Sequence, residues 1–228
     1  TVHIGGFQKN SLIDFPGTIA CVVFTMGCNF KCPYCHNPAL ASGPVTGAGQ
    51  IDLDDIFSFL SARKGLVDGV VITGGEPCLQ PGLVPFITRI KELDTNGSRP
   101  DLLAQLLDRS LVDYLAMDIK TGPDLYPGIM KPGLSIEAIH ESMDIIMAKA
   151  PAYEFRTTCV RPFIDTGIMK EIAQRITGAQ RYVLQNCSRD VQMLDPHFSQ
   201  QPDRFFSDKE IRNFQSIAAK TVQEVLIR

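Results

Sequence analysis

The sequence has no basic excess: 22 lysines and arginines stand against 25 aspartates and glutamates, a net charge of −3. A nucleic-acid-binding face normally declares itself as a basic surplus or stripe, so no nucleic-acid partner is expected. No apolar run reaches the ~20 residues of a membrane span, and the amino end lacks a basic-then-apolar export segment. A soluble, cytoplasmic protein without a membrane partner is expected. Internal repeats and low-complexity linkers are also missing, and residues 41–50 form a Gly/Pro-rich loop. With 228 residues and 44 % apolar content, the chain is long enough for the core of a single domain spanning 1–228.

Seven cysteines are present, an odd number. Three fall within eight residues (Cys28, Cys32 and Cys35), and none lies between Cys35 and Cys78. In a reducing compartment such clustering points to metal or redox chemistry rather than disulfides. The scattered Cys21, Cys78, Cys159 and Cys187 are expected to pack as small apolar residues, with Cys78 and Cys187 nearest the site. His3, His140 and His197 have no motif around them and receive no role.

Apolar periodicity alternates strand and helix. Strands are expected at 19–25, 67–73, 112–118, 153–160 and 181–185, the last in the chain. Helices are expected at 52–62, 83–92, 136–149 and 166–177. A capping box, Ser207 with Glu210, opens a terminal helix over 207–228 on which Val222, Val225 and Leu226 continue the apolar stripe. Residues 1–18 form an amino-terminal extension. About six βα units fall short of the eight that close a barrel, so the expected fold is α/β: a partial, open-sided (β/α)6 barrel. One stretch is too short for its contents. A helix to Glu92 leaves no room for a turn and a strand ending at Thr95. Either the helix is shorter, with 90–95 as the strand, or the sequence lacks residues between Glu92 and Asp94.

The chemistry-bearing motifs follow strands, where α/β folds place their sites. Cys28-Asn-Phe-Lys-Cys32-Pro-Tyr-Cys35-His-Asn-Pro offers three thiolates. An iron–sulfur cluster held by three leaves one iron open, the logic of a catalytic metal site. A zinc site completed by His36 or a distant cysteine is the alternative. The spacing C-x3-C-x2-C, with Tyr34 before the third cysteine, resembles the signature of the radical S-adenosylmethionine (SAM) superfamily. The following His36-Asn37-Pro38 is similar to what activating enzymes of glycyl radical enzymes carry. Val70-Val-Ile-Thr-Gly74-Gly75-Glu76-Pro77 resembles the superfamily's GGE motif.

The resemblance implies the radical SAM type of partial barrel, one 4Fe–4S cluster on Cys28, Cys32 and Cys35, and SAM chelated to the open iron. Reductive cleavage of SAM then yields a 5′-deoxyadenosyl radical. Tyr34 and His36 would border the adenine, and Gly74, Gly75 and Glu76 would hold the methionyl amino group. Asp94-Thr-Asn-Gly97 and Ala116-Met-Asp118-Ile-Lys120 resemble segments of pyruvate formate-lyase activating enzymes. By that likeness Asp94, Thr95, the Ala116 carbonyl and Asp118 surround a monovalent cation, and Lys120 faces the SAM carboxylate. Arg156, in Glu154-Phe-Arg-Thr-Thr, and Gln185 would also approach SAM. The opening FQKNSLIDFPG and the EFRTT segment resemble most the anaerobic ribonucleoside-triphosphate reductase activating proteins. This family implies hydrogen abstraction from a glycine of a partner enzyme, with a flavodoxin- or ferredoxin-type protein as electron donor. A small-molecule radical SAM enzyme similar to 7-carboxy-7-deazaguanine synthases, or a non-enzymatic zinc module, are the alternatives.

Overall fold

The computed structural model describes residues 2–12, 18–43, 51–88 and 92–228. Eight strands form one sheet in chain order: β1 (Ile4–Ser11), β2 (Ala20–Thr25), β3 (Gly69–Gly74), β4 (Glu92–Thr95), β5 (Tyr114–Asp118), β6 (Tyr153–Cys159), β7 (Arg181–Asn186) and β8 (Glu224–Ile227). β1 pairs antiparallel with β2, and every other pair is parallel. Parallel neighbours need a crossover, and each here passes through helix. These are α1 (Pro38–Ser42) and α2 (Leu53–Ala62), then α3 (Leu83–Ile87), then α4 (Pro100–Asp108). α5 (Tyr126–Ile129) and α6 (Ile136–Lys149), α7 (Thr166–Arg175) and α8 (Asp208–Ala218) complete the set. Six βα units from β2 to β7 match the expected open α/β fold. β1 and β8 extend it as its two edges.

Side chains alternate across a strand, so level partners sort the sheet into two faces. Asp94 lies level with Ala116, Ala116 with Glu154, and Asp118 with Arg156. The residues between them, Leu93, Leu115, Met117 and Phe155, point the other way. They join Ile56, Leu103, Ile139 and Ile172 of the helices in the main apolar core. The face carrying Asp94, Asp118, Glu154 and Arg156 also holds a small apolar group of Ala20, Val22 and Val71 toward its other end.

Four expectations change. β1 makes part of the amino-terminal extension an edge strand; Ile13–Gly17 of the opening motif lie outside the described residues. The 41–50 loop begins later than expected, because Ala41 and Ser42 close α1; residues 44–50 lie outside the described residues. α3 stops at Ile87, where the Thr88 hydroxyl donates to the Pro85 carbonyl. Glu92–Thr95 then pair one for one with Tyr114–Met117. The shorter helix is the alternative this structure takes; residues 89–91 lie outside the described residues. Finally, the capping box forms, but the terminal helix ends at Ala218. Val225 and Leu226 belong to β8, which takes the free edge of β7. Apolar spacing fits either form there, and the ladder hydrogen bonds offered by that edge decide.

Candidate active site

The site is built where β2 to β5 end. Gly74 sits at φ +114°, and a Cβ there would come 2.4 Å from the Thr25 nitrogen. A Cβ on Gly75 would meet the Gly27 carbonyl oxygen at 2.0 Å. Only glycines permit this approach. It lets the Gly75 amide donate to the Thr25 carbonyl (2.9 Å) and the Glu76 amide to that of Gly27 (2.8 Å). The backbone that these glycines approach most closely is thus the entry to the cysteine loop.

Glu76 is buried and caps the turn Pro77–Leu79. Its Oε1 accepts from the Cys78 amide (3.0 Å) and the Thr95 hydroxyl (2.8 Å), and Oε2 from the Asn96 amide (2.6 Å). Burial raises its pKa, and those hydrogen bonds work against the rise. A carboxylate offers about four acceptor positions, so most of Glu76 is engaged in tying the ends of β3 and β4 together. The Asn96 side chain continues the tie, donating to Asn29 Oδ1 (2.9 Å), while Asn29 Nδ2 donates to the Ser98 hydroxyl (2.8 Å). Sequence reasoning missed this asparagine relay, although Asn96 stands inside the Asp94–Gly97 motif.

Two further segments grip the loop. The Lys31 amide donates to the Ile129 carbonyl (2.7 Å) and the Lys131 amide to that of Asn29 (2.9 Å). The Leu194 amide donates to the Cys35 carbonyl (3.1 Å) and the Asp195 amide to that of Pro33 (2.9 Å).

One cavity brings together Cys28, Cys32, Tyr34, Cys35, His36, Gly74, Gly75, Glu76, Asp94, Thr95, Asp118 and Lys120. Phe30, Asn37, Thr73, Thr158 and Leu194 line it too, unforeseen from sequence. Ala116, Arg156 and Gln185 are not on its wall. Gln185 accepts from the Thr158 hydroxyl (3.5 Å), and Thr158 is the residue that faces the cavity. Tyr34 is buried among Phe163 and Phe198, at centroid distances of 5.2 and 5.9 Å, and its hydroxyl donates to the Lys120 carbonyl (3.3 Å). Packing therefore accounts for much of its ring.

Burial pushes the Cys28 thiol up to about 11 and that of Cys32 to about 12. Both are protonated at neutral pH in the metal-free chain, so ligation must displace their protons. His36 is lowered by burial and then by Lys120, and its Nε2 lies 3.4 Å from the Cys187 sulfur. Cys78 is buried near the Thr95 hydroxyl (3.5 Å). Neither Cys78 nor Cys187 is on the cavity wall.

The acids are held by bases. Lys120 Nζ bonds Asp118 Oδ2 at 2.7 Å. Burial opposes its charge, but Asp118 together with Cys32 and Cys35 outweighs burial and raises its pKa. Arg156 Nη1 bonds Asp94 Oδ2 at 3.0 Å and its Nε bonds Glu154 Oε1 at 2.5 Å. Burial, then Asp118 against the pull of Arg156, leaves Asp94 raised to about 6. Asp94 Oδ1 and Arg156 Nη2 are buried without a hydrogen-bond partner. Such atoms cost about 1–3 kcal/mol each and ask for a ligand.

The donor set fits a cluster on three thiolates. Three cysteines share the cavity with no fourth on its wall, and the orphaned Asp94 oxygen suits a polar or cationic group beside them. Among the described residues, no three His, Cys, Asp or Glu side chains converge as a set for one metal ion. No helix among them is long and apolar enough to cross a membrane.

Residues 22–161 match the model of the radical SAM superfamily. The chain is 31 % identical to a Methanocaldococcus jannaschii protein provisionally named glycyl-radical enzyme activating enzyme MJ1227, over 99 % of this chain and 95 % of that one. It is 27 % identical to the 7-carboxy-7-deazaguanine synthase of Methanopyrus kandleri over 73 % of this chain and 77 % of the relative. It is also 31 % identical to the pyruvate formate-lyase-activating enzyme of Clostridium pasteurianum, but over only 52 % of each chain. In fold it resembles a radical SAM methyltransferase from Sphaerobacter thermophilus, with a TM-score of 0.66 and 15 % identity over 94 % of this chain and 67 % of that one.

Proposed function

The chain belongs to the radical SAM superfamily, and from that premise we propose that it activates a glycyl radical enzyme, an anaerobic ribonucleotide reductase first among candidates. The observation that carries the reading is the cavity shared by Cys28, Cys32 and Cys35, with no fourth cysteine on its wall. Full-length likeness to an activating enzyme supports the reaction class. When bound, the cluster and SAM together supply a carbon radical made by one-electron reduction.

The chain's own residues bind, orient and enclose. Cys28, Cys32 and Cys35 would hold iron as thiolates. Lys120 would offer its charge to the SAM carboxylate, and Glu76 with the Gly74 and Gly75 backbone would hold the amino group. His36 borders the adenine with Tyr34. Arg156 and Gln185 act through Asp94 and Thr158 rather than by direct contact. For a monovalent cation, Asp94 would be the first contact, because its Oδ1 has no hydrogen-bond partner, with Asp118, held by Lys120, beside it. Thr95 already donates its hydroxyl to Glu76, and Ala116 contributes only a backbone carbonyl. Cytoplasmic residence and an external low-potential electron donor complete the reading.

The test mixes reduced, SAM-loaded protein with candidate partners under anaerobic conditions. A glycine-centred doublet in electron paramagnetic resonance on the reductase is expected. A doublet on another glycyl radical enzyme alone would change the partner and keep the reaction. SAM cleavage with silence on every such enzyme, together with turnover of a small purine-like substrate, would favour the second reading. That reading rests on the likeness to a 7-carboxy-7-deazaguanine synthase.

A further inference from the structure

We infer that the outer side of the cysteine loop is a docking surface for an acidic one-electron donor protein, with Lys31 and Lys131 as its charged contacts. The inference rests on the radical SAM reading, which needs one electron from outside the chain for each radical made.

The loop from Cys28 to Cys32 is a wall shared by two concavities. Cys28, Phe30 and Cys32 line the cavity, whereas Lys31 lines a groove with Pro127, Met130, Lys131, Leu134 and Ile136. A short antiparallel bridge of Phe30 with Met130 joins the two segments. The Lys31 and Lys131 amides bond across it to Ile129 and Asn29, which brings the two lysines onto one surface. The Lys131 ammonium reaches back to the Cys28 carbonyl at 2.5 Å. Both lysines are exposed. Among the described residues neither forms an ion pair, and no carboxylate lines the groove.

In a chain of net charge −3, two unpaired lysines over an apolar floor select a partner of opposite sign. The partner's glycine must enter the cavity side with SAM, which leaves the groove side to the donor. An electron from a reduced donor there would enter through the cysteine loop, which borders both concavities. The donor is oxidised by one electron, the bound cluster is reduced by one, and no atom moves.

The experiment titrates the reconstituted protein with an acidic flavodoxin, anaerobically, at low and high salt. Calorimetry follows binding and absorbance follows reduction. Lys31→Glu is expected to weaken binding about tenfold or more and to remove most of its salt dependence. Lys131→Gln should weaken it several-fold. Iron content and reduction by dithionite should be unchanged in Lys31→Glu. Equal flavodoxin affinity and salt slope with and without Lys31 would overturn the surface. So would a Lys31→Glu protein that loses affinity for the glycyl radical enzyme instead. Glycyl radical formation driven by dithionite reports separately on the activase reading, so the two can fail independently.

Discussion

Glu154 and Phe155 are neighbours in β6, both fully buried, and they face opposite sides of one sheet. Phe155 lies in the apolar core under the helices, with Tyr153 edge-on at 5.5 Å. Glu154 accepts from the Tyr114 hydroxyl (2.8 Å), Arg156 Nε (2.5 Å) and both terminal nitrogens of Arg228 (3.0 and 3.1 Å). Burial works to raise its pKa, but Arg156, Tyr114 and Arg228 outweigh it and hold the carboxyl low. The helix-facing side is held mainly by contacts that ask for shape and volume, with one buried hydrogen-bond chain from the Tyr182 hydroxyl through Thr157 to the Ile119 carbonyl. The other side is held by donors and acceptors in fixed partnership, ending at the unpaired atoms of Asp94 and Arg156. Apolar packing tolerates exchange at constant volume, whereas a buried polar network tolerates almost none.

The largest effect separates the three cysteines that line the cavity from one behind the sheet that does not. Alanine at Cys28, Cys32 or Cys35 should abolish the ~4 irons bound after reconstitution. Cys159→Ala, in the apolar core, should keep them. Iron retained by Cys28→Ala, or lost from Cys159→Ala, would break the distinction.

Next come the β6 neighbours. Phe155→Ala should cost about 3–5 kcal/mol as a cavity. Glu154→Ala should cost a similar ~3–5 kcal/mol, by stranding buried donors. Conservative variants tell the two apart: Phe155→Leu should recover most of the loss in denaturant unfolding at constant m-value, and Glu154→Gln should not.

A third effect appears with pH in the ligand-free protein. Asp94 is raised from an ordinary 3.8 to about 6. Its contribution to stability is therefore full below about 3.8 and is lost as pH rises through about 6, by up to about 3 kcal/mol. Glu154, held low, contributes in the opposite sense: its stabilisation is present above the ordinary carboxylate range and fades on acidification. Thermal unfolding across this window should flatten near pH 6 in Asp94→Asn while keeping the acid-side loss. An unchanged profile would remove Asp94 from the titrating network.

The smallest effect lies outside both faces. Ser207→Ala, which breaks the capping box of α8, should cost about 1 kcal/mol with iron and SAM binding unaltered.

The cysteine loop, the GGE segment and the alternation of strand and helix were legible because each is local. The first two are short runs of residues whose likeness to the radical SAM signatures can be read in place. The same locality led the terminal helix astray: Val225 and Leu226 fit a helical stripe, and only the open edge of β7, far away in sequence, selects a strand. The Asn29–Asn96–Ser98 relay and the pairing of Cys187 with His36 were invisible for the same reason. Each joins segments dozens of residues apart by single hydrogen bonds that leave no period in the sequence. Glu76 was found by motif, but its engagement with three donors could be read only once β3 and β4 lay side by side.

β8 is an edge strand of four residues, and beyond it the Arg228 amide bonds the Leu184 carbonyl while the Asn186 amide bonds that of Arg228. Sheet edges fray before centres. Each opening of this edge withdraws two donors from Glu154, loosens its partner Arg156, and through it the carboxylate of Asp94. Breathing at the rim of the sheet is thereby expected to reach the wall of the candidate site at Asp94. Amide exchange at Asn186 and Arg228 should then slow when SAM binds, although neither residue touches the cavity.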